Sequence, residues 1–377
     1  MQNIEALHIA TRSAREGLLQ IYSVWLELLS DIEQPNLFQH PAWYLAHFNA
    51  LGDNNPAIDF VCVYRGRNLV AVYPLSYKRR GPFHYAVLPF AATIFHADCA
   101  VVDDEDKHEL WSFVRSKAKS GEIRKWDVFQ VRNDGALETS HMVQSLKKNT
   151  LTTEFTEKPD GCNVVEVGNY EQAFAALPKN FRANLTRRKK RISRELNAEF
   201  VCFTSPDHIP KAYESFVKLE LSGWKGNTSQ TKKNYFAPQA IGLFEWKTRF
   251  FRDLLVELGK QGAVELRFMQ TQGKNISALI CIVLGDTSCV IKTTYDERYA
   301  RFSPGVLGMD ELNRSYANAG MVRNINLVSD YDWQKKWNPK RLKYFEITEF
   351  NSTIRGWILW AVYFFRRTFR LRSRQGS

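Results

Sequence analysis

Ser303-Pro304-Gly305 stands between two arginines, Arg298 and Arg301, and a run in which Met309, Leu312, Tyr316 and Ala319 recur at helical spacing. A helix is therefore expected to begin at the serine. Each residue of the triplet suits that start: serine as N-cap, proline at the first helical position, where a missing N–H costs nothing, and glycine where a ligand comes close to the backbone. Free N–H groups, the positive end of the helix dipole and two guanidiniums would together hold an anion, most naturally a phosphate. An ordinary well-capped helix can carry the same three letters, but here a strand rich in β-branched residues, Cys289 to Tyr295, leads into it.

Other polar side chains stand where a loop or strand end can present them. Trp224 and Lys225 lie between Gly223 and Gly226, in a loop expected over Ser222 to Thr228, after an amphipathic run with Tyr213, Phe216, Val217 and Glu220. Ligand contact and a surface turn anchored by its tryptophan are both open. Lys292 alternates with Ile291 on its strand and faces either a cleft or solvent. Ser329-Asp330-Tyr331-Asp332-Trp333 follows an expected strand, Val322 to Val328. All eight histidines precede residue 209, and none is near Cys289 in sequence. A cysteine nucleophile is therefore not expected there.

Positioning these groups requires a mixed α/β fold. Leu18, Leu19, Ile21, Tyr22, Trp25, Leu26 and Leu29 mark a helix over 14–30, and Phe38 to Trp43 opens a second. A hairpin follows, Ile58–Tyr64 and Leu69–Tyr77 around Arg65-Gly66-Arg67-Asn68, then a strand near 85–90, a helix over 107–119 and a strand over 126–131. Farther on, Val264–Thr271 and Ile276–Leu284 form another hairpin, with Cys289–Tyr295 as its third strand. Arg65-Gly66-Arg67-Asn68-Leu69 answers Gln272-Gly273-Lys274-Asn275-Ile276, and this predicts an internal duplication. After its third strand the first half has Ala91 to Asp98, without glycine or a serine-proline start. Only the second half is expected to bind a phosphorylated ligand.

The chain of 377 residues is long enough for two domains, expected at 1–160 and 161–350, with a tail at 351–377. Six scattered cysteines without a C-x-x-C pair point to a reduced, cytoplasmic protein without structural zinc. The first thirty residues do not form a signal peptide, and no apolar run spans a bilayer. The net charge of +12 is concentrated in Lys179–Arg194, a helix whose Phe181, Leu185, Ile192 and Leu196 pack inward, and in the tail. Such blocks favour polyanions. In the tail, Gly356 to Phe365 is too short to cross a bilayer and precedes five arginines, which suits a segment lying on an anionic membrane surface; docking on the protein or on a partner is the alternative.

A strand, an anion loop and a helix followed by a further strand resemble the core of the GNAT acyltransferases. Leu177-Pro178-Lys179-Asn180-Phe181-Arg182, Glu220 to Gly226, and Lys292 through Asp296 to Leu307 are similar to the BioF2-like, cellulose-biosynthesis-type acetyltransferases over most of residues 160–340. The resemblance implies tandem GNAT-like domains, related to Fem-type transferases, with acyl-CoA as co-substrate in the second domain and no metal. It implies that Arg298, Arg301, Phe302, Ser303, Gly305 and Val306 bind the co-substrate, with Trp224, Lys225, Tyr295 and Asp296 at the substrate. For the chemistry, the candidates are Asp330 and Glu220 as base, with Asp332 behind them, Tyr331 as the acid protonating the thiolate, and Lys292 holding a carboxylate or phosphate. Where relatives have glycines and an acid before a tyrosine-lysine pair, this chain has Ser329 to Gln334, which leaves the acceptor side open. The implied acceptor is a cell-envelope or exopolysaccharide sugar or its lipid-linked precursor. A Fem-type aminoacyl-tRNA-dependent ligase and a catalytically silent scaffold are the alternatives.

Overall fold

A computed structural model describes residues 6–52, 57–89, 98–102, 107–133, 146, 152–226 and 239–375. They form two compact units, one of residues 1–41, 56–161 and 343–377, the other of residues 42–55 and 162–342. Both are mixed α/β with mostly antiparallel sheets, the expected class.

In the first unit, strand β1 (Leu7–Ser13) precedes helix α1 (Ala14–Ser30), which buries Leu18, Ile21, Trp25, Leu28 and Leu29 along one stripe. Trp25 meets the edge of Phe60 at 5.6 Å, which anchors that stripe to the sheet. Strands β2 (Ile58–Arg65), β3 (Asn68–Arg80) and β4 (Phe83–Val87) form an antiparallel meander, and the two-residue strand β5 (Ala100–Val101) pairs with β3. Helix α3 (Lys107–Ser120) then carries the chain to β6 (Val128–Asn133), which pairs with β4 in parallel. Trp111, Trp126, Phe129 and Tyr73 fill the core between helix and sheet.

The second unit repeats this order. After β7 (Thr153–Glu166), helices α4 (Tyr170–Ala176) and α5 (Lys179–Leu196) precede β8 (Glu199–Phe203). Helices α6 (Ile209–Ser222) and α7 (Glu245–Gly259) lead to β9 (Val264–Thr271), β10 (Lys274–Leu284) and β11 (Thr287–Tyr295), again an antiparallel meander. Helix α8 (Pro304–Ala319) returns the chain to β12 (Asn324–Asn326), parallel to β11. In both units, then, a strand and two helices lead into a three-strand meander, and one crossover helix brings the next strand back parallel to the meander's last. One of the two helices before the first meander is α2 (Pro41–Leu51), and it packs within the second unit, where Trp43 and His47 lie 5.1 and 4.1 Å from the Phe250 ring. Residues 42–55 were expected in the first domain. Their apolar face has its partner more than 190 positions away in sequence, which no local pattern reports.

The two hairpins match in plan but not in turn. Gly66 alone has positive φ in the first, whereas Gln272 and Gly273 both do in the second, so the shared glycine occupies different loop positions. The comparison drawn on Ala91 to Asp98 lies almost wholly outside the described residues. The expected strand Val322–Val328 shrinks to Asn324–Asn326, because Val328 turns into the left-handed region at φ 54°. The last strand, β13 (Lys340–Phe350), pairs with β6, and helix α9 (Ile354–Gln375) follows it.

Candidate active site

Strand β11 is edged by β10 along its length but by β12 only from Thr287 to Cys289. From Val290 onward it runs beside α6 and α7 to the start of α8. A bulge lies on the way: Val290 opposes Cys281 and Lys292 opposes Ile280, so Ile291 has no partner on β10. Val290 packs in the core under α8, and without the extra residue Lys292 would point there too. The bulge turns it to the opposite face, where its Nζ lies 5.8 Å from the ring of Phe251 on α7.

On that face Lys225, in a one-turn helix over Trp224–Gly226, donates a 2.6 Å hydrogen bond from Nζ to the Thr293 carbonyl of β11. Its Nζ also lies 3.7 Å from Glu220 Oε1. Glu220 is fully buried on α6, and its Oε2 accepts the Ile241 N–H at 2.7 Å. The sequence missed Lys247 on α7, whose Nζ rests 4.3 Å from the Phe244 ring and 5.6 Å from that of Trp246. Burial pulls Lys225 down to about 8, helped by the Lys292 charge and resisted by Glu220. Lys247 is lowered as well, by burial and then by Lys292.

On the other face lies the triplet. Ser303 occupies the N-cap position but not as expected: it is left-handed at φ 55°, ψ 55°, and its hydroxyl caps no N–H. The Val306 and Leu307 amides donate to its carbonyl at 3.0 and 3.2 Å, so Val306 spends its N–H on the helix. Of the amides in this first turn, that of Gly305 is the one with no backbone acceptor among the described residues. A side chain at Gly305 would meet only Tyr295 Cδ1, at 3.6 Å, so the backbone there is open to a ligand. A phosphate oxygen fits such a position, with one amide rather than the several expected.

The remaining candidates separate. Asp296 is buried and caps the short 3-10 helix over Glu297–Phe302, accepting the Arg298 N–H at 3.0 Å. Arg298 also clasps its carboxylate at 2.6 to 3.1 Å, and these hydrogen bonds hold Asp296 below the usual carboxylate range. It orders the loop from inside and is not presented to a ligand. Phe302 likewise belongs to the core, 1% exposed, with the Arg191 and Arg301 guanidiniums 5.1 and 4.7 Å from its ring. Arg301 pairs with Glu195 at 3.6 Å, and both arginines of the loop stay solvent-facing. Asp330 is held by Arg341 at 2.7 Å, and Asp332 by Lys335 at 2.6 Å. Tyr331 is half exposed, and burial, then Asp330, raise its pKa. Trp224 is 37% exposed, while Tyr295 links the two faces of the strand: its ring reaches Gly305 and its carbonyl lies 3.5 Å from where a Gly223 side chain would begin. Cys289 is buried, which pushes its thiol up to about 12 and makes it a packing residue. Among the described residues no group of three or more His, Cys, Asp or Glu side chains could hold a metal ion.

No curated protein matches the chain. The structure of FemX is similar at 11% identity, with a TM-score of 0.55 over 89% of this chain and 96% of that one. A conserved protein of unknown function from Bacteroides thetaiotaomicron VPI-5482 is similar at 12% identity, with a TM-score of 0.50 over 88% and 97%. At these identities the likeness is one of fold. Residues 179–335, from the start of α5 past β12 to the polar turn at Asp330, match the family described as "Acetyltransferase (GNAT) domain". Strand β11, the open turn at Gly305 and helix α8 all fall inside that match, and the chain therefore carries an acetyltransferase (GNAT) domain within a GNAT-like fold.

Proposed function

We propose that the chain is an acyl-CoA-dependent acyltransferase of the BioF2-like branch, an acetyltransferase acting on an amine or hydroxyl of a cell-envelope or exopolysaccharide sugar or its lipid-linked precursor. One observation carries this: a strand whose outer edge has no paired strand past Cys289 among the described residues ends beside a helix start with an open glycine amide, inside a matched acetyltransferase domain. Gly305 would hold the diphosphate of the co-substrate through its amide, and Arg301 would supply positive charge from the solvent side on leaving Glu195, while Arg298 stays committed to Asp296. The strand edge from Val290 to Thr293 would align the acyl arm. Tyr331, protonated at neutral pH, is placed on the surface of the same unit and could supply a proton to the leaving thiolate. Glu220 cannot reach a substrate directly, since it is wholly buried, and Asp330 would have to leave Arg341 to act as base.

Isothermal titration calorimetry with acetyl-CoA is the direct test. Saturable one-site binding in the micromolar range supports the proposal, and no heat up to millimolar acetyl-CoA overturns it. The Fem-type ligase is the second reading, favoured by the likeness to FemX and by the exposed Lys179, Arg187, Lys190 and Arg194 of α5. It requires binding of charged tRNA with a steep salt dependence instead.

The same function would place the enzyme at the inner face of a membrane. No helix among the described residues is long and apolar enough to cross one, but α9 exposes Ile354, Trp357, Ile358, Phe364 and Phe365 along one side. Arg366, Arg367, Arg370, Arg372 and Arg374 follow in the sequence. Apolar side chains entering the interface and arginines on anionic headgroups would bind together. Replacing Ile358→Glu and Phe365→Glu, both more than half exposed, should leave the melting temperature unchanged. Co-sedimentation with phosphatidylglycerol vesicles should then fall about tenfold or more, since each buried apolar side chain contributes ~1.5 kcal/mol or more. Equal sedimentation of variant and wild type would remove the membrane role.

A further inference from the structure

Lys225, Lys247 and Lys292 come from three separate elements, the turn after α6, helix α7 and strand β11; Lys225 Nζ lies 3.7 Å from one carboxylate, and the Lys292 charge is near enough to act on both of the others. That carboxylate, Glu220, is committed on one oxygen to the Ile241 amide. Among the described residues neither Lys247 nor Lys292 has a carboxylate within ion-pair distance. Their ammonium groups rest against aromatic rings: Lys247 on Phe244 and Trp246, Lys292 on Phe251, and Lys225 5.9 Å from Trp224. Rings compensate part of the lost hydration of a cation, but they leave its charge unneutralised and lower the dielectric around it. Three cations facing one buried anion in such surroundings repel one another. Nothing in the packing requires all three, because methionine would fill the same stems. The β11 bulge works against a purely structural account too, since it turns Lys292 away from the apolar core and toward two like charges.

A second anion would remove the imbalance. We propose that Lys225, Lys247 and Lys292 form a binding site for an anionic group, a carboxylate or a phosphate, carried by the acyl acceptor. This rests on the acyltransferase reading for the word acceptor, though the site itself does not. Tyr295 ties it to the reaction: its ring lies against Gly305, and its carbonyl lies beside Gly223, two residues before Lys225. The anionic end of an acceptor held by the lysines would thus lie at the end of the strand whose edge aligns the acyl arm. The acceptor class this selects is an acidic sugar or a phosphorylated one, in preference to a neutral glycan.

The probes are inorganic phosphate and malonate, titrated into the full chain with 13C-labelled lysines. The Lys225 Cε resonance should titrate near pH 8 in the free protein and move upward by at least one pH unit at saturating probe, because a bound anion favours the ammonium form. Lys247→Met and Lys292→Met should each weaken probe binding at least tenfold while acetyl-CoA affinity stays within twofold. Lys292→Arg, which keeps the charge, should retain most of the binding and guards against a folding artefact. Gly305→Asp should leave the lysine response intact. An unmoved Lys225 midpoint with both probes overturns the site, and so does a response abolished by Gly305→Asp, which would put the anion at the helix start. Probe binding at the lysines in a protein that ignores acetyl-CoA would keep the site and remove the acyltransferase reading.

Discussion

Gly305→Asp should lower acetyl-CoA affinity by more than a hundredfold without unfolding the protein. The new side chain has room, since its first carbon would touch only Tyr295 Cδ1 at 3.6 Å. Helix stability should if anything rise: a carboxylate in the first turn interacts favourably with the helix dipole by about 0.3–1 kcal/mol, and replacing a helical glycine gains a further ~0.5–1 kcal/mol. The ligand meets the opposite sign. A carboxylate about 5 Å from one phosphate charge, at an effective dielectric of about 20, costs ~3 kcal/mol, and a diphosphate carries two such charges. That energy exceeds a hundredfold in Kd. Gly305→Ala, which adds only a methyl group, should stay within a few-fold of wild type. Calorimetric binding beside thermal melting of the same samples separates the two effects. An aspartate variant that melts normally and binds acetyl-CoA like the wild type would remove the helix start from the site.

That prediction rests on the part of the molecule that was most legible. Helices α1 and α5 and most of strand β9 follow from helical spacing and alternation, because each buries one side and so keeps its period, whereas β10, buried on both faces, follows from its apolar run between turns. What the sequence hid was local departure from those periods. A period of two puts Lys292 on the same face as Val290, and the bulge at Ile291 reverses it without any glycine or proline to announce the change. Ser303 has the letter of an N-cap but a left-handed backbone, because the preceding 3-10 helix ends there and the chain must turn into α8. Lys247 was invisible for a different reason. It sits in an ordinary amphipathic helix, and only the packing of α7 against β11 gives it Lys292 as a neighbour. Asp296 and Phe302 show the converse: their place in a recognisable motif suggested ligand contact, whereas burial makes one the cap of the loop and the other its anchor.

The largest effect on stability should come from Glu220→Leu. The substitution leaves the Ile241 N–H buried without an acceptor, at about 1–3 kcal/mol, and strips Lys225 of the carboxylate 3.7 Å from its Nζ. Breaking a buried ion pair from one side costs ~3–5 kcal/mol. Lys225 can limit that loss by releasing its proton, which from an ordinary lysine at pH 7 costs about 5 kcal/mol at most. Its folded-state pKa, already about 8 with Glu220 present, must fall further without it. Between that lowered value and the ordinary lysine range the unfolded chain binds more protons than the folded one, so stability climbs with pH across the interval. Wild-type Lys225, at about 8, gives the same climb above that pH, so the defect should be severe at pH 7, shrink as pH is raised to about 8 and stay level from there toward 10. Lys225→Met added to Glu220→Leu should restore most of the loss and flatten the pH dependence, leaving the cost of the Ile241 amide. Urea melts of the two single variants and the double at pH 7 and 9.5 measure all of this. Additive single effects, or a Glu220→Leu variant with the wild-type pH slope, would mean that Glu220 and Lys225 do not share a charge-coupled site, and the lysine cluster would lose its one internal counter-ion.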